Sequence, residues 1–239
     1  MNPNKPSRRV FLRNAVTVSA GAAIFPEILA KSITNGKNIP IKASGANEKV
    51  NLACVGIGGQ GGSDIREFAA TGLCNIVALC DTDMGAPATM KSMQSYPDVP
   101  RFKDFREMFD KMGNKIDAVL IAIPDFAHFP VAMLAMSLGK HVYVEKPMAR
   151  TFNEVQLMMD AAKKYKVVTQ MGNQGHSEAN YFQFKTWVEA GIIKDVTSFI
   201  GHMNSSRRWH GWDTSISKYP AGEPVPQTLD WDTWLGTAD

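Results

Sequence analysis

The stretch from Val50 to Asp81 constrains the fold of this chain most, because an apolar run, a glycine-rich turn, a helical segment and a second apolar run follow one another there. "VNLACVGIG" carries no charge. "SDIREFAATG" spaces its apolar residues for one helix face and stops at Gly72, and "CNIVALCD" is apolar again until Asp81. A strand with one face in water alternates apolar and polar residues, whereas a run that is apolar throughout fits a strand covered on both faces. The unit then recurs. "APATMKSMQ" and "KDFREMFDKMG" read as helices, "DAVLIAIP" as a strand, "FPVAMLAMSLG" as a helix and "HVYVE" as a strand, followed by a helix "FNEVQLMMDAAKKYK" and a strand "VVTQMG". Strands that alternate with helices call for a parallel sheet with helices on both faces.

The expected fold class is therefore α/β, a Rossmann-type doubly wound parallel sheet over residues 49–172. Residues 173–239 break the alternation. They offer one helix, "SEANYFQFKTWVEAG", one strand, "VTSFIGHM", and a tryptophan-rich irregular stretch, which is too little for a second sheet with its own core. With 239 residues, 44% of them hydrophobic, the chain can bury one full core and part of another. The net charge of +3 is small and dispersed, so no nucleic-acid partner is expected.

The first thirty residues have a different character. "SRRVFLR" is followed by the small, weakly apolar "NAVTVSAGAAIF" and by "PEILA", with a small residue at Ala30. A basic start, a short apolar run and a small residue are the parts of an export signal, and the paired arginines Arg8 and Arg9 before Phe11 and Leu12 resemble a twin-arginine signal. The apolar run is shorter than the roughly 18 residues a spanning helix needs, so no stable membrane anchor is expected. Residues 31–48 are polar, contain Gly and Pro, and read as a linker. The expected location is the periplasm or another exported site. Cys54 and Cys80 fall in buried strands and Cys74 in a turn, which makes them apolar fillers and leaves neither a disulfide framework nor a metal site in view.

At the end of the first strand, "GIGGQG" sets Gly56, Gly58 and Gly61 in the spacing G-x-G-x-x-G, with Gly59 and Gln60 between them. Such a loop between strand and helix lets a backbone turn tightly, approach a pyrophosphate and offer it helix N–H groups. The second strand ends at Asp81, where a carboxylate can accept hydrogen bonds from an adenosine ribose. Together they point to dinucleotide binding. A carboxylate at 81 repels a 2′-phosphate, and Thr82 and Asp83 bring no arginine, so NAD is favoured over NADP.

"AIPDFAH" places Pro124 at the end of a strand and His128 in the following loop or helix start, as a cofactor contact or a local hydrogen-bonder. "EKP" closes the next strand. Glu145 can pair with its neighbour or hold the nicotinamide ribose, Lys146 can hydrogen-bond the oxygen that changes hybridisation in a hydride transfer, and Pro147 can take a cis bond. An exposed charged turn is the alternative.

The ordered set "VGIGGQG", "CDTD", "AIPDFAHFPVAMLAMSLGKHVYVEKPMA" and "TQMGNQGH" resembles the Gfo/Idh/MocA oxidoreductases, the family of glucose-fructose oxidoreductase and inositol dehydrogenase. The resemblance implies a Rossmann domain for NAD(P) with Lys146 beside nicotinamide and substrate, and a Lys146–Pro147 bond that is often cis. It also implies that residues 173–239 begin a second α/β domain, whose open sheet covers the substrate and builds a homo-oligomer. It places Asn173, Gln174 and His176 near the nicotinamide or substrate, with His176 beside Lys146 as the catalytic candidates, although His176 also reads as a surface histidine. "SSRRWHGWD" offers Arg207 and Trp209 to a sugar, or packs beneath a loop. The family's later catalytic residues have no counterpart here, so the chain is expected to be truncated in the second domain. The implied activity is hydride transfer between a carbohydrate or polyol hydroxyl and a tightly held NAD. Transient oxidation that cleaves a glycoside, or binding without catalysis, are the alternatives.

Overall fold

A computed structural model of the protein describes residues 49–201 and 222–236. The proposed signal and linker, and Arg207 and Trp209, lie outside the described residues.

Six strands form one sheet: β1 (Val50–Val55), β2 (Cys74–Cys80), β3 (Arg101–Phe102), β4 (Ala118–Ile121), β5 (His141–Glu145) and β6 (Thr169–Gly172). Every pairing is parallel, and the order β3-β2-β1-β4-β5-β6 reverses direction between β1 and β4. Connecting helices are α1 (Gly59–Ala70), α2 (Pro87–Ser95), α3 (Phe105–Met112), α4 (His128–Ser137) and α5 (Phe152–Tyr165). This is the doubly wound arrangement expected from the alternation, in which ligands bind at the carboxyl ends of the strands where the order reverses.

The continuous apolar strands are buried as their composition requires. Ala53, Cys54, Leu79, Val119, Leu120 and Ile121 have no exposed surface, and the two sides of the sheet carry separate cores. Local signals fix the helix ends. Thr151 and Glu154 form a reciprocal capping box at the start of α5, and the Asp104 side chain accepts a hydrogen bond from the Arg106 N–H at the start of α3. The register aligns Cys80, Val55, Ile121, Val144 and Met171 across the sheet. The next position along each strand therefore brings Asp81, Gly56, Ala122, Glu145 and Gly172 into one row at the carboxyl edge.

Two expectations need correction. Cys74 is the first residue of β2 and not part of a turn. The strand expected in "VTSFIGHM" is absent over its described part, residues 196–201, where Val196, Phe199 and Ile200 are 66%, 90% and 77% exposed. A strand exists only when a neighbour takes its backbone hydrogen bonds, and no described strand lies alongside. The preceding helix α6 (Ala179–Glu189) forms as expected but buries none of its residues. Farther along, residues 222–236 return to the sheet. Leu229 bridges Asp83, the Asp230 N–H donates to the Thr82 carbonyl at 2.9 Å, and the short helix α7 (Trp231–Leu235) follows.

Candidate dinucleotide site

Gly56 follows β1 with φ of +81°, in the left-handed region that side chains disfavour, and a Cβ there would lie 2.2 Å from the Ala122 carbonyl oxygen. A Cβ on Gly61 would lie 1.9 Å from the Gly56 carbonyl oxygen, so strand end and helix start touch through bare backbone. No side chain caps α1, whose N-cap is Gly58, and a Cβ on Gly59 would meet open space. An uncapped helix start at a glycine turn presents N–H groups to an anion.

Asp81 holds this loop from the neighbouring strand. Its Oδ2 accepts from the Ile57 N–H at 2.9 Å and from the Thr89 hydroxyl at 3.4 Å, and its Oδ1 accepts from the Asp83 N–H at 3.1 Å. A carboxylate has about four acceptor positions, so capacity remains for a ligand hydroxyl. The Ser92 hydroxyl fastens the other side of the turn by donating to the Ile57 carbonyl at 2.6 Å.

Part of this assembly lines a cavity of about 860 Å³ at the carboxyl edge. Gly56, Gly58, Gly59, Asp81 and Pro124 face it, and Gln60, Gly61, His128, Glu145, Lys146, Asn173, Gln174 and His176 do not. Its outer wall is the returning segment. Trp231 and Trp234 line it and stack on each other with ring centres 5.1 Å apart, and Phe126 meets Trp234 edge-on at 5.3 Å. Thr228 sits so close over Gly85 that a Cβ there would come within 2.2 Å of its methyl carbon. Lys103 and Arg106 bring cations to the same cavity from the β3 edge. Arg106 is occupied by Asp104, whose carboxyl it holds below the ordinary range through side-chain hydrogen bonds. The sequence reading missed all four of these residues. The doublet Trp231 and Trp234 was visible, but nothing local says that it folds back onto β2.

Of its two expected roles, cofactor contact or local hydrogen-bonder, His128 takes the second. It is 1% exposed, with Nδ1 2.6 Å from the Pro147 carbonyl oxygen and Nε2 2.8 Å from the Ile123 carbonyl oxygen. Buried polar groups are nearly always paired, and here the pairing ties the end of β4 to the turn after β5. The bond between Lys146 and Pro147 is cis. Lys146 is exposed at that turn, while Glu145 beneath it is 4% exposed and accepts from the Gln174 amide. Asn173 and His176 are exposed and bonded to each other through Nδ2 and Nδ1 at 2.6 Å, and the His176 ring lies 5.0 Å from that of Tyr181. The sheet edge thus carries two groups, one around the cavity at β1 and β2 and one around Lys146 at β5 and β6.

Residues 50–173 match the oxidoreductase family with the NAD-binding Rossmann fold, Gfo/Idh/MocA. The chain belongs to this family. Among curated Gfo/Idh/MocA relatives, it is 30% identical over 171 residues to an alpha-N-acetylgalactosaminidase of Shewanella oneidensis, covering 66% of this chain and 37% of that one. Among solved structures, myo-inositol 2-dehydrogenase of Lactobacillus plantarum is 26% identical with a TM-score of 0.53, over 61% of this chain and 42% of that one. The WlbA dehydrogenase of Bordetella pertussis, in complex with NADH and UDP-GlcNAcA, is 25% identical with a TM-score of 0.53, over 60% and 42%. The chain spans 37–50% of the length of the curated relatives it matches first.

Proposed function

We propose that this protein is an NAD-dependent oxidoreductase acting on the hydroxyl of a carbohydrate or polyol, with the dinucleotide held in the cavity at the carboxyl edge. The observation that carries the reading is the uncapped glycine turn at α1 facing that cavity beside Asp81, in a member of an NAD-binding family. The turn and the α1 start would take the pyrophosphate, and the free acceptor capacity of Asp81 would take the adenosine ribose. A carboxylate there favours NAD over NADP, and Arg106 is already engaged by Asp104. Trp231 and Trp234 would cover the nucleotide from outside.

Bound NAD would supply the hydride acceptor and donor. The Lys146 ammonium would donate a hydrogen bond to the reacting substrate oxygen, and Glu145 would anchor the turn that carries it. His176, exposed beside Asn173, would contact substrate from the next strand end.

The similarity to an alpha-N-acetylgalactosaminidase favours a second reading, glycoside cleavage through transient oxidation with no net change in NAD. Cleavage of a glycoside without NADH accumulation would select it. We assign the protein to the periplasm on its twin-arginine-like start, and an exported enzyme has reason to retain its cofactor because free NAD is scarce there.

The test is to denature the purified protein and identify released nucleotide by mass spectrometry, then to titrate the emptied, refolded protein with NADH while following tryptophan fluorescence. Stoichiometric NAD, or quenching that Trp234→Phe diminishes, supports the reading. A folded protein that releases nothing and does not respond to NADH would overturn it.

A further inference from the structure

Beneath the Lys146 turn two acidic side chains meet. Asp64, on α1, is 7% exposed, and Glu145, at the end of β5, is 4% exposed. Phe68, one turn after Asp64 on α1, meets Tyr143 of β5 edge-on with ring centres 5.1 Å apart, which sets Asp64 against the strand end where Glu145 stands. Asp64 Oδ1 accepts from the Gln60 amide at 2.7 Å, Glu145 Oε1 accepts from the Gln174 amide, and Glu145 Oε2 receives the Lys146 N–H at 3.4 Å. Asp64 Oδ2 is fully buried and has no donor. Neither carboxyl takes part in an ion pair among the described residues.

An ionised carboxylate only accepts hydrogen bonds, so two of them side by side cannot bond, and two buried unpaired charges are strongly unfavourable. One proton resolves both problems. Placed on Asp64 Oδ2, it turns the orphaned acceptor into a donor toward Glu145 and leaves the pair with a single negative charge spread over three amide donors. The space is shaped for this contact, since a Cβ on Gly172 would come within 2.1 Å of Glu145 Oε1 and 3.0 Å of the Tyr143 hydroxyl.

We propose that Asp64 is a positioning residue for Lys146, acting through a proton that it shares with Glu145 and that fixes the Glu145–Lys146–Pro147 turn. Loss of that proton sets two anions against each other and releases the hold on the turn. The groups facing Asp64 among the described residues are Glu145 and Tyr143 from β5, Cys54 from β1, and the amides of Gln60 and Gln174. None is a cation. In keeping with this, burial first and Glu145 second push the Asp64 carboxyl up to about 6, and burial together with the two carboxyls raises the Tyr143 phenol. The shared proton stands on this geometry alone, while its service to Lys146 rests on the reading of Lys146 as the substrate-facing lysine.

The experiment follows two kinds of NMR signal of the whole chain across pH 4–8, the carboxyl 13C signals of Asp64 and Glu145 and the 13C-methyl signal of reductively methylated Lys146, assigned with Lys146→Arg. The Asp64 signal should titrate above the ordinary carboxylate range, and the Glu145 and Lys146 signals should move with it. In Asp64→Asn the amide supplies the N–H permanently, so the Lys146 signal should stay at its low-pH position throughout. In Asp64→Leu it should stay at its high-pH position. If Asp64→Asn does not fold, Glu145→Gln provides the reciprocal donor and should lower the Asp64 titration, with burial still holding it above the ordinary range. Titration of Asp64 in the ordinary carboxylate range, a Glu145 signal that does not follow it, or a Lys146 signal indifferent to both variants, overturns the proposal. Neither signal needs a nucleotide, so failure of NAD to bind would leave this result standing and would count against the proposed function alone.

Discussion

Residues 50–173 and residues 179–201 use similar local chemistry and reach opposite outcomes. Both hold good helix formers and apolar runs, yet β4 is wholly buried while α6 shows solvent its aromatic residues Phe182, Phe184 and Trp187, 46%, 54% and 42% exposed. The difference lies in whether a neighbour arrives. β4 sits between β1 and β5 and under α4, so its side chains leave water on both faces. α6 is a helix because its own hydrogen bonds close locally, and that closure needs no tertiary partner. The run 196–201 has the apolar content of a strand but no pairing partner among the described residues, and takes no regular structure. Helices can therefore form ahead of their packing, whereas strands cannot.

The largest effect that sharpens this contrast is expected at Leu120 on β4, which has no exposed surface. Leu120→Ala should lower the stability measured by urea unfolding by about 2–5 kcal/mol, since the sheet cannot collapse into the void. Next comes pH. The folded-state Asp64 carboxyl is raised from 3.8 to about 6, so the folded chain binds that proton more tightly than the unfolded chain. Its stabilisation is fully present below about pH 3.8 and is lost as pH rises through about 6, a swing of roughly 3 kcal/mol. Thermal unfolding across that window should show the decline, and Asp64→Asn should flatten it; an unchanged slope would exclude Asp64 as its source.

Smaller again is the capping box of α5, where Thr151→Ala should cost about 1 kcal/mol by the same urea assay. The smallest effect belongs to the other region. Phe184→Ala on α6 should change stability by no more than about 0.5 kcal/mol. A cost above 1 kcal/mol would break the comparison, because it would mean that the α6 face is covered in solution.

Much of the site could be read from the chain. The glycine spacing, Asp81 and Pro124 are local signals on a β-α-β unit, and the structure sets them around one cavity. β3 escaped notice because two residues carry no periodicity, and with it went Lys103 and Arg106. His128 stayed open between a cofactor contact and a local hydrogen-bonder because nothing near it in sequence shows that Pro147 and Ile123 will close over both ring nitrogens. Asp64 carries no local signal within its helical stretch, and its partner Glu145 is remote in the chain.

By itself the sequence determined the succession of strands and helices, their parallel and buried character, and the glycine turn, because each of these follows from periodicity and backbone sterics within a short window. Tertiary structure alone decided which strand ends stand side by side, that Trp231 and Trp234 wall the cavity, and that two carboxyls share one buried space. Those outcomes depend on solvent exclusion and on charges brought together from distant positions, and neither quantity exists until the chain has folded.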